Sequence, residues 1–146
     1  MGNPVNLSPE TEKRIYASFS AQAMMTTLGA RLVSLAPGLS RIEAPILPGS
    51  RQQHGFGHAG LTFAIGDSAA GYAALSVMAD NHEVLTSEMK IHLLAPAKGD
   101  LLIAEGRVIK PGRRLVIVQA DVYALDAGQQ THVALLTGTM IPIAQG

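Results

Sequence analysis

One stretch limits what this chain can become. From Leu61 to Ala79 the sequence is apolar on every side, and most of its residues are Ala, Gly or Ser. A helix with no polar face is buried all round. Its length suits about five turns at 3.6 residues per turn. Small side chains let a sheet, or a second copy of the helix, approach its backbone closely. A Gly-rich polar loop, Gln52 to Gly57, leads into it. One carboxylate, Asp67, interrupts the run. An ionised group in apolar surroundings is costly unless paired or hydrogen-bonded, which makes Asp67 a candidate for chemistry.

The flanking segments show what covers such a helix. Ser8-Pro9-Glu10 is a helix start, with a Ser cap, Pro at the first helical position and an acid in the first turn. Ile15, Phe19 and Ala23 recur at helical spacing, so residues 9–26 are predicted to be one amphipathic helix. Ala30–Ala36 and Leu39–Ile46 read as a hairpin around Pro37-Gly38. Beyond the central helix, Asp80-Asn81-His82 turns into a strand over Val84–Leu94. Its alternation puts Thr86, Glu88, Lys90 and His92 on one face and Leu85, Met89, Ile91 and Leu93 on the other, with Ser87 the exception. Leu101–Lys110, Leu115–Leu125 and Thr131–Ile143 are three further strands joined by short turns, which predicts a four-strand antiparallel meander. The architecture expected is α+β: a curved antiparallel sheet wrapped around a long central helix. Residues 1–28 form an N-terminal helical segment and 29–143 the core of a single domain.

Composition excludes several classes. The formal net charge of the 146 residues is zero, which argues against a nucleic-acid or anionic-membrane partner. There is no Cys, so thiolate nucleophiles, disulfides and Cys-ligated zinc are out. No charge-free apolar run reaches membrane-spanning length and no signal peptide is visible, so a cytoplasmic protein is expected. Met1-Gly2 is followed at position 6 by Asn6, where a myristoylation signal wants Ser or Thr. Gly66-Asp67-Ser68 is not a nucleophile elbow, and no P-loop or dinucleotide fingerprint is present.

Four motifs in register resemble one family. His58-Ala59-Gly60 is similar to a His-Gly-Gly helix start, and Ile65-Gly66-Asp67-Ser68-Ala69 places an acid nine residues after the His. Met89 to Ala97 resembles a later strand with its Pro-Ala ending, and Lys110-Pro111-Gly112-Arg113-Arg114 a Gly-Arg/Lys turn. Over about residues 20–142 the chain resembles the PaaI-like acyl-CoA thioesterases of the hotdog fold. Ala59 departs from the family pattern, replacing the first Gly.

The resemblance implies hydrolysis of an acyl-CoA thioester, with no cofactor beyond the coenzyme A of the substrate. Asp67 would be general base or nucleophile. Gln52 would help polarise the thioester, and the N–H groups of Ala59 and Gly60, at the positive end of a helix, would receive the oxyanion. Thr86 matches a Ser/Thr that orients water in some members, with a one-residue shift in the intervening loop. Lys110, Gly112, Arg113 and Arg114 would meet the phosphates of coenzyme A; taken alone they are a solvated hairpin tip. His54 is a candidate for the substrate mouth, and Phe56, Phe63, Tyr72 and the Met residues are candidates to line a tunnel for an aromatic or medium aliphatic acyl chain. His58 is a candidate for substrate contact or for the helix start alone. A metal held by His54, His58 and Asp67 lacks a spacing that defines enough ligands. Asp67 has a plainer reading too, as a buried acid bonded to Thr62 or Ser68. Two other functions stay open: a hotdog-fold enoyl-CoA hydratase or dehydratase, and a non-catalytic acyl-CoA binding module.

One geometric expectation needs no family. Ala59 and Asp67 are eight residues apart, about 12 Å along a helix rising 1.5 Å per residue. A carbonyl must lie about 3 Å from both oxyanion donor and attacking group. One copy of the helix cannot satisfy that, whereas two antiparallel copies can. A two-fold dimer is therefore expected; that it pairs again into a dimer of dimers is what the resemblance implies.

Overall fold

A computed structural model describes residues 6–145; the reading made of Met1 and Gly2 lies outside them. Two short helices, α1 (Pro9–Ala21) and α2 (Ala23–Leu28), precede the hairpin β1 (Arg31–Ala36) and β2 (Leu39–Pro45). The central helix α3 (Ala59–Leu75) follows. Then come β3 (His82–Leu93), β4 (Leu101–Lys110), β5 (Val116–Asp126) and β6 (Gln129–Ala144). All six strands form one antiparallel sheet in the order β1-β2-β4-β5-β6-β3.

Helix α3 packs against five of the six strands. Ile65, Ala69, Ala70 and Leu75 meet Ile42, Leu102, Val122 and Leu136, all buried. On β5 the inward set Val116, Val118, Ala120, Val122 and Ala124 alternates strictly with more exposed neighbours, as period two requires. The helix lies so close to the sheet that Gly106 of β4 has no room for a side chain: a Cβ there would run into the Ala69 carbonyl. Ser40 of β2 hydrogen-bonds that same carbonyl at 2.5 Å. The fold is α+β with the hotdog arrangement of one central helix on an antiparallel sheet.

Three local expectations are corrected. The single helix over 9–26 breaks at Gln22, whose backbone is extended. Its side chain reaches the hydroxyl of Tyr72 instead, 2.7 Å away. The four-strand meander is a three-strand one: β4, β5 and β6 are successive neighbours, but β3 sits at the far edge, paired only with β6. That leaves room for β2 beside β4. Finally, β3 does not alternate throughout. A bulge between Thr86 and Glu88 shifts its register by one residue. Val84 before the bulge and Met89 and Ile91 after it pack against the core, while Leu85 is 56% exposed. The bulge turns Thr86 to the helix side.

Candidate active site

The residues singled out in the sequence fall into three places. The first is the loop before α3. Arg51 pins it by donating to the carbonyls of Gly55 and Ile46, both at 2.7 Å. Gly55 turns it at φ 87°, in the left-handed region that glycine tolerates. Inside the loop the Gln52 carbonyl oxygen accepts from the N–H groups of His54 at 2.5 Å and Phe56 at 3.3 Å. Its amide NH₂ has no partner among the described residues, so the side chain is held by its acceptor end with its donors free.

The loop ends at His58, the N-cap of α3. Its Nδ1 accepts from the Gly60 N–H at 2.8 Å. A nitrogen that accepts carries no proton, so this cap uses the neutral imidazole with the proton on Nε2. The expectation that both Ala59 and Gly60 receive an oxyanion is thereby narrowed: His58 already occupies Gly60, and Ala59 keeps an N–H with no partner among the described residues. Gln52, His58, Ala59 and the buried Thr62 line a recess of about 610 Å³, closed on its other side by Leu93 to Ala97 and Val133. His54 stays exposed in the loop and does not line that recess. Phe63 is 36% exposed on the same side of α3 as Ala59 and Asp67.

The second place is Asp67. Its Oδ1 accepts a hydrogen bond from the Thr86 hydroxyl at 2.7 Å. Neither Thr62 nor Ser68 bonds to it. Burial pushes its carboxyl above the ordinary carboxylate range, and the Thr86 hydrogen bond pulls partly back. A half-buried carboxylate with a raised pKa and one oxygen uncommitted can hold a water and take its proton. Asp67 and Thr86 face a recess of about 280 Å³ that is separate from the one holding Gln52 and Ala59. Across it lie Tyr72, which the sequence offers as tunnel lining, and Gln22 and Ser18, which sequence reasoning missed. The Tyr72 phenol was the signal for them, since a buried tyrosine hydroxyl needs a partner.

The third place is the β4–β5 turn. Lys110, Arg113 and Arg114 are exposed and in no ion pair among the described residues. Gly112 and Arg113 line a recess with Met78, His82 and Pro142. Pro142 pairs with Val84, two residues from Thr86, so this cationic turn lies at the same end of the sheet as Asp67. Among the described residues no three His, Asp or Glu side chains come together to hold a metal, and no helix is long and apolar enough to cross a membrane.

Comparison with known proteins places the chain in a family. The model of a family described as the thioesterase superfamily matches residues 54–130, which span the end of the loop, α3, Thr86 and the basic turn and leave Gln52 outside. A thioesterase family protein from Silicibacter pomeroyi superposes with a TM-score of 0.90 at 39% identity, covering 92% of this chain and 98% of that one. The E. coli PaaI protein, from the phenylacetic acid degradation operon, shares the fold with a TM-score of 0.84 at 24% identity, over 96% and 98% of the two chains. A protein of Saccharolobus solfataricus named as an esterase is 32% identical over 114 residues, 78% of this chain and 73% of its own. The chain therefore belongs to the thioesterase superfamily, as a hydrolase of the thioesterase and esterase class with the hotdog fold.

Proposed function

We propose that the protein is an acyl-CoA thioesterase whose active sites are shared between two copies of the chain. The observation that carries this is the division of the machinery: Asp67 with Thr86 faces one recess, and Gln52 with the free Ala59 N–H faces another. In a two-fold dimer with antiparallel α3 helices each Asp67 would meet Gln52 and Ala59 of the partner subunit. The outer edge of β3, twelve residues long, has no neighbour among the described residues of the sheet. An unpaired edge of that length favours pairing with another strand, and joining two β3 edges would bring the two helices together.

In this reading the thioester oxygen sits between the Gln52 amide and the Ala59 N–H. Asp67 takes a proton from water, which attacks the carbonyl. The oxyanion collapses, the C–S bond breaks, and the coenzyme A thiolate leaves with the proton that Asp67 held. Burial moves the Asp67 carboxyl toward the range in which a carboxylate serves as a general base. Lys110, Arg113 and Arg114 supply charge for the nucleotide phosphates.

The test is a panel of acyl-CoAs with a thiol reagent. Release of free thiol supports the reading. A change in enoyl absorbance without thiol release means a hydratase, and binding without turnover means a binding module. Asp67→Asn should stay folded and lose about a hundredfold or more in kcat, the scale of a lost general base. Near-normal turnover by that variant would overturn the assignment.

A further inference from the structure

The recess at the start of α3 holds a hydroxyl with nothing to bond. Thr62 is 2% exposed, yet it lines that recess beside Gln52 and Ala59. Its hydroxyl has no hydrogen-bond partner among the described residues. Among those residues the side-chain polar atoms both sealed from solvent and unpartnered are Arg14 Nη2 and His82 Nδ1. The Thr62 oxygen is unpartnered but not sealed, so the small part of Thr62 left open includes its hydroxyl, and what it opens into is the recess.

The cause is local. A helical threonine ordinarily turns its hydroxyl to the carbonyl three or four residues back. Four back is His58, whose carbonyl already accepts from the Leu61 N–H at 3.0 Å and the Thr62 N–H at 3.3 Å. A carbonyl oxygen has two lone pairs, so that place is taken. Burying a hydroxyl without a partner is unfavourable, and valine would give the same shape without it. The oxygen does nothing for the fold, which leaves it free for what enters the recess.

Its placement suits an oxyanion. Helix side chains lean toward the N-terminus and cover the preceding turn, so the Thr62 hydroxyl hangs over Ala59. Three residues rise about 4.5 Å, and the lean shortens that. Two donors to one oxygen, each about 3 Å away, can stand up to about 6 Å apart. The Ala59 N–H and the Thr62 hydroxyl fall within that limit, as Ala59 and Asp67 do not. Much of the surrounding wall is apolar, from Phe56, Leu93, Leu94, Pro96 and Val133, and in such surroundings a hydrogen bond to a charged oxygen is strong.

We propose that Thr62 is a catalytic residue whose hydroxyl donates to the oxyanion and not to the substrate carbonyl. This rests on the reading in which the thioester oxygen lies between the Gln52 amide and the Ala59 N–H. Those two donors fill the two lone pairs of a carbonyl. When water attacks, the C=O π pair moves onto the oxygen and becomes a third lone pair, and the Thr62 hydroxyl meets it. Thr62 thus supplies the donor that the Gly60 N–H, held by His58, cannot. It keeps its own proton, and proton transfer stays with Asp67. A bond formed only in the transition state raises kcat without tightening substrate binding.

The test sets Thr62→Val beside Thr62→Ser, with thiol release from the best acyl-CoA as the assay. Thr62→Val should lower kcat about ten- to hundredfold, the range for losing a hydrogen bond to a charged group. Its KM should stay within about twofold of wild type. Thr62→Ser keeps the hydroxyl and should recover most of the lost kcat. A ketone analogue, with CH₂ in place of the thioester sulfur, should bind Thr62→Val and wild type with equal Kd. In urea unfolding Thr62→Val should be no less stable than wild type, since no bond within the chain is lost. A Val variant that is destabilised or fails to fold shows a structural role and overturns the proposal. So does unchanged kcat, a loss carried by KM or by the Kd of the ketone, or a Ser variant that recovers nothing. In each of those cases thioester hydrolysis still stands if wild type is active and Asp67→Asn is not. If wild type releases no thiol from any acyl-CoA, the thioesterase reading falls and this assignment falls with it.

Discussion

Asp67 is held in two opposed ways, and both can be measured. Burial raises its pKa and the Thr86 hydroxyl lowers it. Between the ordinary carboxylate pKa and the raised one, the folded state binds more protons than the unfolded state. Stability therefore falls as pH rises through that window, and the full penalty remains above it. Asp67→Asn should accordingly raise Tm at neutral pH, and the gain should fade as the pH is lowered through the window. In the proposed mechanism the acid limb of kcat/KM reports the same group in the free enzyme. Thr86→Val removes the lowering contact, so that limb should move to higher pH. A limb that stays in place would separate Thr86 from the ionisation of Asp67. The sequence disclosed Asp67 because a carboxylate stands out in an apolar run. It paired Thr86 with the wrong face of its strand, because a bulge depends on the neighbouring strand and leaves no local mark.

The elements show why some boundaries were readable and others were not. Helix α3 declares itself, since a run buried on every side has few ways to fold. The hairpin β1–β2 is fixed by Gly38 at φ 76°. The break at Gln22 carries no Gly or Pro and comes from a tertiary hydrogen bond that overrides local propensity. The position of β3 was hidden for a similar reason: strand order is settled by what else needs a neighbour. The contact of α3 with β4 gives a sharp test. Gly106→Ala drives a methyl into the Ala69 carbonyl, a backbone atom that cannot rotate away, and should cost about 3 kcal/mol in urea unfolding. Gly66→Ala meets the Leu136 methyls, at 2.9 Å, and Val122 at 3.3 Å, side chains that can yield, and should cost less. The reverse order would place the tight contact elsewhere. The basic turn between β4 and β5 is tested by substrate trimming. Arg113→Ala and Arg114→Ala should raise KM for acyl-CoA, most at low salt where charge attraction is least screened. They should change little for an acyl-pantetheine thioester that lacks the nucleotide phosphates. Equal effects on both substrates would move the phosphate site away from the turn.

For the whole molecule the decisive experiment is subunit mixing. In the proposed dimer, Gln52→Ala and Asp67→Ala each break one half of every shared site. A mixed dimer holds one doubly broken site and one intact site. After dissociation and random reassociation of two inactive variants, up to about one quarter of wild-type activity should return. Proven exchange without recovery would mean that each chain works alone.

Helix α3 is buried along most of its length and packed against five strands, so it behaves as a ruler that does not flex. In the proposed shared site, the separation it fixes between Ala59 and Asp67 makes catalysis a property of an encounter. The rate per chain should then fall on dilution below the dissociation constant of the pair, and recover on concentration. At the lowest concentrations the total rate should follow the square of the amount of protein.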